Sequence, residues 1–171
     1  MAIRLATAND AQLAARLLQE FSDSIGGGTV IDPARLARRF QRWPQIQAVD
    51  DVAGVYCELK VDETNRQAEF SAAFPRGASR GLIGPVFALC ARAAIAHFPA
   101  RQQADVRLWR VWGTFLHGQD AQRVPDGGQG ICKAWVDYFA LDGKAVTARK
   151  PAGGSLWIAE MPLGDLADHG A

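Results

Sequence analysis

The stretch "FPRGASRGLIGPVFALCARAAIAHFP" (residues 74–99) carries two arginines and three glycines ahead of a long apolar run closed by Pro99. Pro85 lacks an N–H and fits the first turn of a helix, where none is needed. The most economical register therefore caps a helix at Gly84, starts it at Pro85 and runs it to about Phe98. Ala88, Ala91, Ala93, Ala94 and Ala96 make its surface small, so it can lie close on a sheet. Ahead of such a helix, small residues and arginines suit an anion: helix-start amides lack acceptors and the dipole is positive there. The plain alternative is a surface turn with two solvated arginines.

Working outward, "VYCELKV" (55–61) alternates, with Val55, Cys57, Leu59 and Val61 on one face and Tyr56, Glu58 and Lys60 on the other. "QAEFSAAF" (67–74) sends Ala68, Phe70, Ala72 and Phe74 one way and Glu69, Ser71 and Ala73 the other. With "ETNR" (63–66) as the turn, the pair reads as an antiparallel hairpin. "IRLAT" reads as an opening strand. Thr7 and Asp10 resemble a helix cap, ahead of Leu13, Leu17, Leu18 and Phe21 on one helical face. "IGGGT" (25–29) breaks that helix. Asp32 and Pro33 open a second one through Leu36, Phe40 and Trp43, ended by Pro44.

Beyond Pro99, "ADVRLWRVW" (104–112) alternates as a strand, and residues 113–130 read as a long polar loop. "ICKAWVDYFAL" (131–141) reads as a helix. "KAVTARK" and "SLWIAEM" flank "PAGG" as a final hairpin, and 164–171 is expected to be a disordered tail. A strand–helix–strand crossover between antiparallel hairpins predicts an α/β (α+β) domain over 1–163, with a mixed, twisted central sheet and helices on both faces.

The bulk numbers exclude more than they assign. The 171 residues are 49% hydrophobic and 22% charged, and the net charge of +1 gives no general attraction to nucleic acid or membrane. No apolar run is long enough for a membrane span, and the start lacks a signal core. Cys57, Cys90 and Cys132 are scattered among apolar residues, which suits buried thiols in a reducing, cytoplasmic setting. His97, His117 and His169 are too dispersed to suggest a metal site.

In element order, the chain resembles the GCN5-related N-acetyltransferases. "IRLATANDAQLAARLL" is similar to that family's opening strand and helix. "AEFSAAFPRGASRGLIG" sits where the family has its central strand and glycine-rich loop, and "ICKAWVDYFALDGKAVTARKPAGGSLWIAEM" where it has its last helix and hairpin. The resemblance implies a sheet that splays between the strand at 67–74 and the next one, with acyl-coenzyme A in the splay. It implies cofactor contacts from Phe74, Arg76, Ser79, Arg80, Gly81, Leu82, Ile83 and Gly84. It also implies that Glu69 takes the amine proton and that Tyr138 protonates the leaving thiolate, with no metal. The loop departs from the family pattern of Arg or Gln, two residues, Gly, one residue, Gly or Ala: Arg76 reaches Ser79 and Gly81, and Arg80 reaches Ile83 and Pro85.

The reaction so implied is transfer of an acetyl or related acyl group from a coenzyme A thioester to a small-molecule or protein amine. Two other readings stay open. One is an inactive binding domain of the same fold. The other is a transferase acting on nucleic acid with a different acyl or aminoacyl donor, which Trp109 and Trp112 interleaved with Arg107 and Arg110 would suit. No membrane partner is expected, and a homodimer is left open.

Overall fold

The computed structural model describes residues 3–24, 30–75, 77–113 and 126–170. Its strands are β1 (Ile3–Leu5), β2 (Gln45–Asp50), β3 (Val55–Asp62), β4 (Gln67–Ala73), β5 (Arg110–Gly113), β6 (Thr147–Arg149) and β7 (Ile158–Pro162). They form one seven-stranded sheet in the order β1-β2-β3-β4-β5-β7-β6. Only β4 and β5 run parallel; every other neighbouring pair is antiparallel. The expected mixed sheet is therefore present.

Period-two alternation distributes the core over both faces. On one face Ala48, Cys57, Leu59 and Phe70 pack with α3 (Arg80–His97), whose Ala88, Ala91 and Ala94 are fully buried. On the other, Val49, Tyr56 and Ala73 meet Ala14 and Leu17 of α1 (Ala11–Ser24) and Leu36 of α2 (Pro33–Ala37). A 3-10 turn (Ala8–Asp10) precedes α1, and its Thr7 amide donates to Asp10 Oδ2 at 2.8 Å, so the cap read from the sequence exists. Asp32 likewise caps α2 through the Ala34 amide at 2.9 Å.

Several elements differ from the expectation. Residues 104–112 are not one strand: α4 (Ala100–Val106) follows Pro99 directly, and β5 starts only at Arg110. Trp109 turns inward against Phe98, with centroids 5.2 Å apart, and this packing overrides the local alternation. The second helix stops at Ala37, short of Trp43. β2 went unread because its polar residues are interior ones; Gln47 is completely buried, with its Oε1 accepting from the Gln41 amide at 2.7 Å. α5 (Gln129–Ala140) and the β6–β7 hairpin match their expected places.

Two corrections bear on the site. α3 starts at Arg80 after Ser79, not at Pro85, which stands inside the helix. Its missing N–H leaves the Gly81 carbonyl without the usual donor four residues on. Nor is the chain end a disordered tail: α6 (Leu163–Ala167) buries Leu163, Leu166 and Ala167 in the α3 core cluster, and His169 is buried with them.

Candidate functional site

The parallel pair at the sheet centre is short. β4 and β5 are in register at Gln67–Arg110, Ala68–Val111 and Glu69–Trp112. β4 then continues through Phe70–Ala73 with no β5 partner among the described residues. Among the described residues its backbone groups on that side have no strand partner, and such groups can pair with an extended ligand.

Where that register ends lies an apolar cavity of about 30 Å³, walled by Phe70, Phe87, Val111, Trp112, Trp135 and Phe139. Phe87 stacks on both Phe70, at 4.4 Å, and Trp135, at 5.4 Å. At the α3 N-terminus the Leu82 amide donates to the Ser79 carbonyl at 3.0 Å. Arg80 is half-buried, its guanidinium 5.6 Å from the Trp135 ring centroid. Its Nε is buried without a hydrogen-bond partner, and so is Trp112 Nε1. A buried unpaired donor is unfavourable by about 1–3 kcal/mol, so the Arg80 Nε beside Trp135 suits an acceptor-bearing ligand.

The residues named from the sequence divide. Ser79, Gly81 and Leu82 are exposed at the helix start, and Arg80 is beside them. Ile83 is 1% exposed and packs into the core. Phe74 is half-buried and rests on Phe21 of α1, with centroids 5.3 Å apart. Arg76, His117 and the loop around it lie outside the described residues. Glu69 is exposed on the face opposite Phe70, in a row with Lys60 of β3 and Trp112 of β5. Glu160 of β7 continues the row and is held by Arg110 at 3.0 Å and Arg149 at 2.9 Å.

Tyr138 faces the α3–α5 seam. Its Oη is 2.8 Å from His169 Nε2, and His169 Nδ1 is 2.8 Å from Asp142 Oδ2. Burial first, and then the Asp142 charge, raise the Tyr138 hydroxyl above the ordinary phenol range. The His169 hydrogen bond holds the Asp142 carboxyl below the usual carboxylate range. From α5 it is Trp135 and Phe139 that wall the cavity. Sequence reading missed His169 and Asp142, although Asp142 follows Tyr138 at one-turn spacing and offered a signal.

Other expectations changed on contact with the packing. Trp109 is buried, and the Arg107 and Arg110 guanidinia pair with Asp168 and Glu160. His97 stacks on Trp43 at 3.6 Å between centroids. Cys57, Cys90 and Cys132 are buried free thiols, and burial pushes Cys132 up to about 11. Among the described residues no group of three or more His, Cys, Asp or Glu side chains could hold a metal ion, and no helix is long and apolar enough to cross a membrane.

No family model and no curated protein matches the sequence. Solved structures do resemble the fold. The PaiA N-acetyltransferase from Thermoplasma acidophilum, in complex with coenzyme A, aligns over 95% of this chain and 99% of its own with a TM-score of 0.51 and 13% identity. A GCN5-related N-acetyltransferase from Sphaerobacter thermophilus aligns over 71% of this chain with a TM-score of 0.50 and 15% identity. That alignment spans 40% of the Sphaerobacter chain. The fold is thus that of the GCN5-related N-acetyltransferases, at great sequence distance.

Proposed function

We propose that this protein transfers an acetyl or related acyl group from a coenzyme A thioester to an amine by direct attack. The observation that carries the reading is that, among the described residues, the β4–β5 register ends at Glu69 and Trp112, while α3 begins at Arg80, seven residues after β4 ends. Bordering one cleft, such an edge and a helix start would suit a ligand that is extended and amide-bearing at one end and anionic at the other.

The residues fit that ligand. Arg80, with its unpaired Nε, and the first amides of α3 would hold the diphosphate. The free edge of Phe70–Ala73 would pair with the amides of the pantetheine arm. Glu69, in the last register pair among the described residues, would take the amine proton, directly or through water, once attack begins. Tyr138 would supply the proton for the departing thiolate. Holding amine and thioester together provides much of the acceleration such a reaction needs.

A second reading keeps the fold and the cleft without the reaction. Its support is the cavity itself, where Phe87, Trp135 and Phe139 leave only about 30 Å³. Calorimetry and thermal melting with acetyl-coenzyme A decide between the readings when followed by turnover with a panel of primary amines. At about 100 times Kd the ligand should add roughly 2.7 kcal/mol of stability, and Arg80→Ala should lower affinity about tenfold or more. Binding without turnover across the panel favours the second reading. No binding at millimolar ligand removes coenzyme A thioesters from consideration.

A further inference from the structure

We propose that Asp142 and His169 form a proton relay that recharges Tyr138, so that the end of the chain takes part in the transfer chemistry; this rests on the acyl-transfer reading above. The three groups lie in line. Tyr138 Oη meets His169 Nε2 at 2.8 Å, and the other ring nitrogen meets Asp142 Oδ2 at 2.8 Å. The line runs from the interior outward: the His169 side chain is 9% exposed and that of Asp142 39%. A histidine whose Nδ1–H is held by a carboxylate can carry a second proton on Nε2 and give it to the half-buried hydroxyl bonded there.

The position along α3 links the relay to the cleft. A Cβ on Gly84 would stand 2.6 Å from Tyr138 Oη, so the hydroxyl lies directly on the helix there. Gly84 comes one turn after Arg80, at the cleft mouth, and about one turn before Phe87, at its floor. The Tyr138 ring meets Trp135, which walls the cavity, with centroids 5.7 Å apart, so the hydroxyl is one residue removed from the cavity wall.

The proton count closes. With His169 as the imidazolium, Nδ1–H donates to Asp142 and Nε2–H donates to Oη, which frees the phenol hydrogen to point into the cleft. When the C–S bond breaks, its electron pair goes to sulfur. The thiolate takes the Tyr138 hydrogen, Oη takes the one on Nε2, and neutral imidazole remains bonded to Asp142. Once the thiol has left, solvent admitted beside Tyr138 restores the Nε2 proton by way of Oη, while Asp142 keeps hold of Nδ1–H. The amine proton leaves separately by way of Glu69. Besides Asp142 and Tyr138, the charges around the pair are Lys144 beside Asp142, Arg92 of α3 on the Ala167 carbonyl at 2.9 Å, and the Arg107–Asp168 pair after α6.

The test needs no acceptor. The His169 imidazole is titrated by NMR in the full chain, alone, with acetyl-coenzyme A and with coenzyme A, and is assigned by replacing His97 and His117. A relay couples the free thiol to His169 through the phenol, so the two ligands should displace its midpoint by amounts differing by about 0.5 pH or more. In Tyr138→Phe, which keeps the ring packing, that difference should vanish while both ligands still bind. Equal midpoints with both ligands bound would overturn the relay and leave the donor site standing. So would a difference that survives in Tyr138→Phe. Failure of either ligand to bind the wild type would overturn the site reading, and the relay with it.

Discussion

Gly84 and Tyr138 occupy the same point of the α3–α5 seam: a Cβ at Gly84 would meet Tyr138 Oη at 2.6 Å and His169 Nε2 at 2.8 Å. Gly84 is thus required by close approach, since it lies in the body of a regular helix. Gly84→Ala should improve helix propensity and still destabilise, by about 1–3 kcal/mol, because the hydroxyl and the imidazole must be displaced. Urea denaturation measures this. In the double variant with Tyr138→Phe part of the loss should return, as one of the two obstacles is gone; purely additive losses would contradict the contact.

The N-terminal edge gives a pH prediction of defined sign. Asp10 accepts from both Arg4 guanidinium nitrogens at 2.7 Å, and that pairing brings its carboxyl down to about 2 from an ordinary 3.8. A carboxyl depressed in the folded state stabilises above its unfolded value, and the contribution is lost as pH falls through the folded one. Asp10→Asn should therefore be less stable than wild type at pH 6, with the gap closing between about pH 4 and pH 2. Paired urea melts at the two ends check this, and a gap that persists at the acid end would refute it.

What the sequence disclosed follows from the range of each signal. The Thr7–Asp10 and Asp32–Pro33 caps, the β3–β4 hairpin and the β6–β7 hairpin are set by residues a few positions apart, and local pattern finds them. β2 was invisible because Gln47 and Asp50 look like loop residues until hydrogen bonds bury them, as Asp50 does with the Val52 and Ala53 amides at 3.0 and 2.9 Å. α6 was taken for a tail because Leu163 and Leu166 have no partner until α3 is in place. The site divided along the same line. Arg80 could be named from its place ahead of an expected helix, and Glu69 from the family resemblance. Trp135, Phe139 and Asp142 are close in the chain, but they meet Phe87 and His169 only through packing between distant segments.

β3 carries a polar cluster, shared with Gln47 of β2, whose disruption should be measurable. Glu58 is 8% exposed and accepts from Arg39 at 2.6 Å, with weaker contributions from Gln47 and the Tyr56 hydroxyl at 3.3 Å each. Arg39→Ala leaves that carboxylate in the interior with two long hydrogen bonds, and should destabilise by about 1–3 kcal/mol. Glu58→Gln keeps the shape and removes the charge, so in the Arg39→Ala background it should recover stability. A double-mutant cycle by urea denaturation reads the coupling, and a coupling near zero would show the pair to be of no consequence.

The sharpest kinetic prediction concerns Glu69. It stands in the last β4–β5 register pair among the described residues, opposite Trp112, and its side chain lies on the exposed face across from Phe70. On the proposed reading a base there would meet an incoming amine from one face while the donor would occupy the strand edge. Glu69→Gln keeps size and hydrogen bonding but cannot take a proton. With an amine the wild type accepts, its kcat should fall by about 10²–10⁴, whereas the calorimetric Kd for acetyl-coenzyme A should stay within about twofold. An exposed strand residue of this kind contributes little to stability, so the melting temperature should hold. An unchanged kcat would take Glu69 out of the chemistry and direct attention to the other carboxylate of the row, Glu160, which is already committed to Arg110 and Arg149.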